Sequence, residues 1–310
     1  MKWFIILASF FYMNFAVSAP KAKVPLKEQP KLRSMGEIIE QSSNSDWRPL
    51  NPENTMYMEL PNGRVIIELA PGFAPNHVEN VKNLIKEKYW DGLAIVRSQD
   101  NYVVQWADPN SEKPELKKPI KNAKVKLPSE FEGPWNAKKP FVKLKDGDVY
   151  APEVGFVDGF PAARDLKNKK GWLLHCYGAV GAGRDNPTDS GGGTELYAVT
   201  GHAPRHLDRN VTLIGRVVYG MDLLSSLPRG KGPMGFFDKN QPFVGIKSVR
   251  LASEVTERER ANLEIMKTDS KTFQDLIQSR RHRPEEWFAF RPEKIEICNV
   301  PIPVRTVVAK

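Results

Sequence analysis

The sequence predicts a mainly β protein, a closed antiparallel barrel with two capping helices, carrying a long insertion and a helical C-terminal extension. Three observations point there. Short strand-like runs recur at residues 55–60, 64–69, 102–106, 172–175, 196–199, 212–218 and 246–251, separated by Gly and Pro clusters. Sustained helical spacing is confined to residues 76–88 and the tail. The chain has 310 residues, 40% of them hydrophobic, and two cysteines. That composition excludes a disordered or collagen-like chain, and two cysteines build neither a disulfide scaffold nor a four-cysteine zinc site, so the fold rests on its core.

The elements follow in order. Residues 1–19 hold an early cation, Lys2, then an apolar run from Trp3 to Phe15, then the small residues Ala16-Val17-Ser18-Ala19. This reads as a cleaved secretory signal, because the apolar run is short against the ~20 residues of a spanning helix and Asn14 interrupts it. A retained anchor is the alternative. After cleavage the chain is expected in a secreted or periplasmic compartment that permits disulfides, with no stable membrane association. Residues 20–53 form a Lys- and Pro-rich arm with one capping-box signal, Ser34-Met35-Gly36-Glu37. From residue 54 the texture changes. Met56, Met58 and Leu60 alternate with Tyr57 and Glu59, and the turn Asn62-Gly63 leads into Arg64-Val65-Ile66-Ile67-Glu68-Leu69, which is a hairpin pattern. Asn76 as N-cap, with Glu79 three residues later and Val78, Val81, Leu84 and Ile85 at helical spacing, predicts an amphipathic helix up to Lys88.

Residues 109–170 hold 14 cations and 9 anions with little sustained periodicity, and are expected as a large surface insertion. They carry more than half of the net charge of the mature chain, which suggests a cationic flap over a neighbouring groove. Their lysines are not regularly interleaved with aromatic residues, which argues against nucleic acid. In the extension, residues 253–310, Thr256-Glu257-Arg258-Glu259 is a capping box ahead of Ala261, Leu263, Ile265 and Met266. A second helix includes Phe273, Leu276 and Ile277 and ends near Arg281, and Ile295, Ile297 and Val300 suggest a last strand.

Several motifs are decoys. Asp189-Ser190-Gly191-Gly192 with His175-Cys176 imitates a serine-protease pair, but the residues lie too close in sequence for the two barrels of that fold. His202 and His206 have helical metal spacing, yet Pro204 breaks the helix and no third ligand is near, so no metal and no cofactor are expected. Cys176 and Cys298 form a disulfide after export or remain buried thiols; spacing leaves both open.

The informative stretch is Arg97-Ser98-Gln99-Asp100-Asn101-Tyr102-Val103-Val104-Gln105-Trp106-Ala107-Asp108. It resembles the active-site strand of the cyclophilin peptidyl-prolyl isomerases, which runs Arg, four residues, an aromatic, Met, any residue, Gln, Gly-Gly-Asp. Arg97, Tyr102, Gln105 and Asp108 fall at those offsets, with Val103 at the Met position. The likeness continues in Gly63 to Leu69, in Gly171-Trp172-Leu173-Leu174-His175-Cys176-Tyr177 against Gly-x-Leu-Ser-Met-Ala-Asn, and in Gly193-Thr194-Glu195-Leu196-Tyr197 against Gly-Ser-Gln-Phe-Phe. It extends from Leu207-Asp208 to Gly220-Met221-Asp222.

The resemblance implies an eight-stranded barrel over residues 54–252 and an isomerase of Xaa-Pro bonds in exported polypeptides. Arg97 and Gln105 are then catalytic. Tyr102, Val103, Cys176, Tyr177, Glu195, Tyr197, His206 and Leu207 bind the proline-containing substrate. The chemistry suits these residues. Xaa-Pro rotation faces a barrier of roughly 18–20 kcal/mol. As the amide twists, the proline nitrogen gains a lone pair that a fixed guanidinium stabilises more than it stabilises either planar isomer. The departures are Tyr177 for Asn, Glu195 for Gln, His206 at a Trp position and Val211 for a pocket His. They leave a second reading, a barrel kept as a non-catalytic chaperone or peptide-binding module.

Overall fold

The computed structural model describes residues 32–307 apart from Asn136; the signal-peptide reading of residues 1–19 falls outside them. The main sheet has nine antiparallel strands in the order Val244–Gly245, Ala94–Ser98, Val103–Ala107, Leu196–Val199, Ala179–Ala182, Leu213–Tyr219, Gly63–Leu69, Thr55–Leu60, Ser248–Leu251. The expected closed eight-stranded barrel is corrected here to an open, curled nine-stranded sheet. Its two edge strands are consecutive in the chain, separated only by Ile246 and Lys247. Ile246 exchanges backbone hydrogen bonds with Gly92 and Leu93, whereas Lys247 donates to Glu59. One segment thus changes pairing partner within two residues, and the edges meet through covalent chain rather than through a continuous ladder.

The hairpin forms across Asn62-Gly63 as the alternation predicts, with Met56, Met58, Leu60, Val65 and Ile67 in the core. Helix Pro75–Lys86 packs Val78, Val81, Leu84 and Ile85 onto the same core. Its start differs from the expectation: Ala74 is the N-cap and has no capping side chain, while Pro75 occupies the first turn, where its missing N–H costs nothing. The cap comes from the insertion. Glu130 accepts the backbone N–H groups of Asn76 at 3.1 Å and His77 at 2.9 Å, and lies 2.6 Å from His77 Nδ1.

The insertion is more than surface chain. It supplies Gly133–Pro134, Val142–Lys143, Glu153–Val157 and Phe160–Asp165 to a second sheet completed by Lys170–Leu173. Its strands escaped the periodicity reading because they are short and partly buried on both faces. Leu144, Val154, Phe156 and Ala163 from the insertion pack with Ile38 and Trp47 of the arm and Phe273, Leu276, Ile277 and Ile297 of the extension. Phe156 and Phe273 meet edge to face at 5.0 Å. The Cys176–Cys298 disulfide ties the extension to the end of the second sheet.

In the extension, helix Lys271–His282 forms as expected, but Leu263–Met266 is a strand, not a helix. It pairs with Trp47–Pro49 of the arm and with Val304–Thr306, so backbone partners on both sides override the helical spacing. Ile297–Asn299 is a 3₁₀ turn, and the last strand lies further on.

Candidate active site

Five elements meet at a groove of about 740 Å³ on one side of the main sheet. Strand Ala94–Ser98 contributes Arg97, Val103–Ala107 contributes Val103 and Gln105, Leu196–Val199 contributes Tyr197, and the loops flanking these strands add Tyr102, Glu195, Leu207 and Val211. The fifth is the 233–236 turn, with Met234 and Phe236. Adjacent strands bring Tyr197 opposite Gln105 and Arg97 opposite Gln105, so three sequence-distant side chains emerge side by side.

Arg97 is half-buried and held at several points. Its Nε donates to the Met234 carbonyl at 2.8 Å, Nη1 to Gln105 Oε1 at 3.4 Å, and Nη2 to Gln99 Oε1. Its guanidinium carbon lies 5.4 Å from the Tyr102 ring centre and 5.2 Å from that of Phe236. Burial lowers its pKa from the ordinary arginine value, against a smaller opposing effect of Tyr102. A guanidinium has five N–H donors, of which these contacts use three. One hydrogen on each terminal nitrogen remains for a ligand. Gln105 is buried and works in both directions: its carbonyl accepts from Arg97, and its amide donates to Glu195 Oε2 at 2.7 Å. Gln105 therefore stands between Arg97 and Glu195. Burial pushes the Glu195 carboxyl pKa up, while the Gln105 hydrogen bond pulls it back in part.

The description "Cyclophilin type peptidyl-prolyl cis-trans isomerase/CLD" matches residues 55–250, more than half of the chain and every strand that lines this groove. The chain belongs to that family. A probable peptidyl-prolyl cis-trans isomerase of Brucella suis biovar 1 is 26% identical to this cyclophilin over 188 residues, covering 58% of this chain and 74% of that protein. A putative thylakoid lumen peptidyl-prolyl cis-trans isomerase of Synechocystis sp. is 24% identical over 187 residues, covering 57% of this chain and 44% of that protein. The crystal structure of cyclophilin AquaCyp293 from Hirschia baltica matches with a TM-score of 0.68 at 23% identity, covering 85% of this chain and 94% of that chain, a likeness of fold.

Of the residues singled out from the sequence of this cyclophilin, Arg97, Tyr102, Val103, Gln105, Glu195, Tyr197 and Leu207 line the groove together. Cys176, Tyr177 and His206 do not. Cys176 is disulfide-bonded and, with Tyr177, lines a separate cleft against the extension. His206 is exposed and faces a neighbouring depression with Tyr150 and Arg209. The 174–178 segment turns away because Lys170–Leu173 belongs to the second sheet, which draws the following residues toward the extension.

Asp108, a match to the family strand, is buried and accepts the backbone N–H groups of Asn110 and Lys118 at 2.8 and 2.7 Å, shaping the entry to the insertion. Residues missed from the sequence are Met234 and Phe236. The signal was present as Gly232-Pro233-Met234-Gly235-Phe236, a turn with an aromatic residue. Gly235 has φ +76°, and a Cβ there would meet Gln99 Cα at 2.6 Å, so only glycine lets this turn approach the Arg97 strand.

The cationic flap is also sharpened. Lys117 lines the groove, but Lys118 Nζ is engaged by the carbonyls of Lys88 and Asp91 at 3.0 and 2.6 Å. Asp108, Glu112, Asp185 and Glu195 face Arg97, Lys117 and Arg184 in the lining, so the groove itself is not cationic. Among the described residues no group of three or more His, Cys, Asp or Glu side chains could hold a metal ion.

Proposed function

We propose that this chain accelerates rotation about Xaa-Pro bonds in exported polypeptides, with Arg97 stabilising the twisted amide. The observation that carries the reading is Arg97 itself: three of its N–H groups are fixed by Met234, Gln105 and Gln99, and two are left at the groove. In this reading the proline ring sits against Tyr102, Val103, Tyr197 and Leu207. The pyramidal proline nitrogen accepts from an Arg97 terminal N–H. Because the guanidinium is already fixed, little reorganisation is needed when the lone pair develops. Gln105 holds the guanidinium and shields it from Glu195.

Export is supported by the segment 1–19, by the Cys176–Cys298 disulfide, which suits an oxidising compartment, and by the lumenal relative. The same reading divides the chain into a signal at 1–19, an arm at 20–53, an isomerase domain at 54–252 with its insertion at 109–170, and an extension at 253–310.

Exchange spectroscopy on a short Ala-Pro peptide tests the proposal. Wild-type protein should accelerate the exchange, and Arg97→Ala should lower kcat/KM by about 10²–10³-fold, as for loss of one preorganised donor. Equal rates for wild type and variant overturn the arginine mechanism; a wild type that binds the peptide without accelerating exchange points to the binding-module reading.

A further inference from the structure

A chain of buried polar groups that the mechanism above does not use leads from the groove residue Tyr197 to the insertion. Tyr197 is 6% exposed, and its ring occupies space left by Gly181, where a Cβ would meet Tyr197 Cζ and Oη at 2.4 Å. Its Oη lies 2.9 Å from His175 Nε2. His175 is fully buried, and its Nδ1 lies 2.9 Å from Asp208 Oδ1, which also accepts the His175 backbone N–H at 2.9 Å. The other Asp208 oxygen accepts from Arg205 Nε at 2.5 Å. Arg205 in turn makes a two-pronged pair with Asp148, at 2.9 and 3.0 Å.

Chemistry fixes the direction of each link. A carboxylate only accepts, so His175 carries its proton on Nδ1 and leaves Nε2 to accept from the Tyr197 hydroxyl. Burial holds the His175 ring below its ordinary pKa, with Asp208 pulling the other way. Arg205 is 5% exposed and lies between Asp208 and Asp148, with Glu296 a third carboxylate at 3.6 Å, a geometry that tolerates burial because every charged group is met by another. Asp148 also accepts the backbone N–H groups of Tyr150 and Ala151, both at 2.9 Å, which fixes its own loop. Tyr197 stands where the family pattern has Phe, His175 stands where it has Met, and Asp148 lies in the insertion.

We propose that Asp148, Arg205, Asp208 and His175 are positioning residues that lock Tyr197 in the floor of the groove, so that the insertion sets how tightly the proline ring is gripped. A phenylalanine would fill the same volume; the hydroxyl adds only the anchor. The turn Arg205–Leu207 belongs to the same network, so Leu207, which also lines the groove, is held by it too. The proposal rests on the reading of this groove as the proline site.

A cycle of Asp148→Asn, Tyr197→Phe and the double variant tests it in the full, disulfide-bonded chain, with kcat, KM and peptide Kd measured well below the melting temperature. Each single variant should raise KM and Kd by about fivefold to tenfold, in line with loss of one buried hydrogen-bonded link. The double variant should be no worse than either, because one relay is cut twice. A purely structural Asp148 would give losses that multiply in the Tyr197→Phe background, and that result overturns the proposal, as does an unchanged KM and Kd in both singles. Should Asp148→Asn fail to fold, Tyr197→Phe alone decides, since it removes one oxygen and leaves the core volume intact. A wild type that binds without isomerising sinks the isomerase reading while the Kd cycle still judges the relay; one that neither binds nor isomerises overturns both.

Discussion

The two largest cores of this protein bury the same kinds of side chain but are assembled differently. The main-sheet core draws Met56, Met58, Val65, Ile67, Val78, Val81, Leu84 and Ile85 from one stretch of hairpin and helix, and is completed by strands of the family domain. The second core joins Ile38 and Trp47, then Phe156 and Ala163, then Phe273, Leu276 and Ile297, three segments far apart in the sequence. A local core announces itself in sequence, while a core built from distant pieces leaves each piece looking like an arm, a loop or a tail. The functional consequence is that the groove is lined mainly by strands of the main sheet and their loops, with Ser111, Glu112, Lys117 and Val125 from the insertion, and is tied to the second core through Arg205 and Asp148.

The largest effect is expected from opening the second core at its centre. Phe273→Ala, at a fully buried position against Phe156, should cost about 3–5 kcal/mol in denaturant unfolding. If it costs less than about 1 kcal/mol, the extension is an ornament on the domain rather than part of its stability. Next in size is the covalent tie. Cys298→Ser removes a crosslink across 122 residues and should cost about 2–4 kcal/mol under oxidising conditions, with no difference once the wild type is reduced.

A smaller effect comes from the insertion's cap on the main-sheet helix. Glu130→Ala should cost about 1 kcal/mol at neutral pH, the usual size of a lost N-cap. Burial raises the Glu130 pKa, but the hydrogen bonds from His77 and Asn76 outweigh it, so the folded value lies below the ordinary one. Its contribution is therefore present above the unfolded carboxylate pKa and is lost as pH falls through the folded one. The gap between wild type and variant should close in acid melts.

The smallest effect has the opposite sign. Glu195 is held above its ordinary pKa by burial, so its ionised form is penalised in the folded state. Glu195→Gln should raise Tm slightly at neutral pH, and the gain should vanish as pH falls below the ordinary glutamate value, where both states are protonated. A fall in Tm at neutral pH would mean that the hydrogen bond from Gln105 outweighs the cost of burial.

The strand Val103–Ala107 and its Arg97 neighbour could be read because a strand repeats every two residues and the site motif is contiguous. Tyr57 could not be placed by that rule. Alternation puts it on the solvent face, yet it is 2% exposed, because the extension covers that face and the Ala261 N–H donates to its hydroxyl at 3.0 Å. Leu263–Met266, expected as a helix, became a strand for a different long-range reason, backbone pairing on both sides. Phe236 reached the groove only because Gly235 lets its turn touch the Arg97 strand.

By itself, then, the amino-acid sequence determined the hairpin, the helix that follows it, the family and the groove-lining set Arg97, Tyr102, Gln105 and Tyr197, since these rest on short-range periodicity and contiguous motifs. The tertiary structure decided that the sheet is curled and open, that the insertion, arm and extension share a core, that Cys176 joins Cys298 away from the groove, and that Tyr197 is anchored through His175 to Asp148. The physical reason is range. Backbone propensity and side-chain alternation act over a few residues, whereas burial, ion pairing and edge pairing are settled by groups that come together only when the chain is folded.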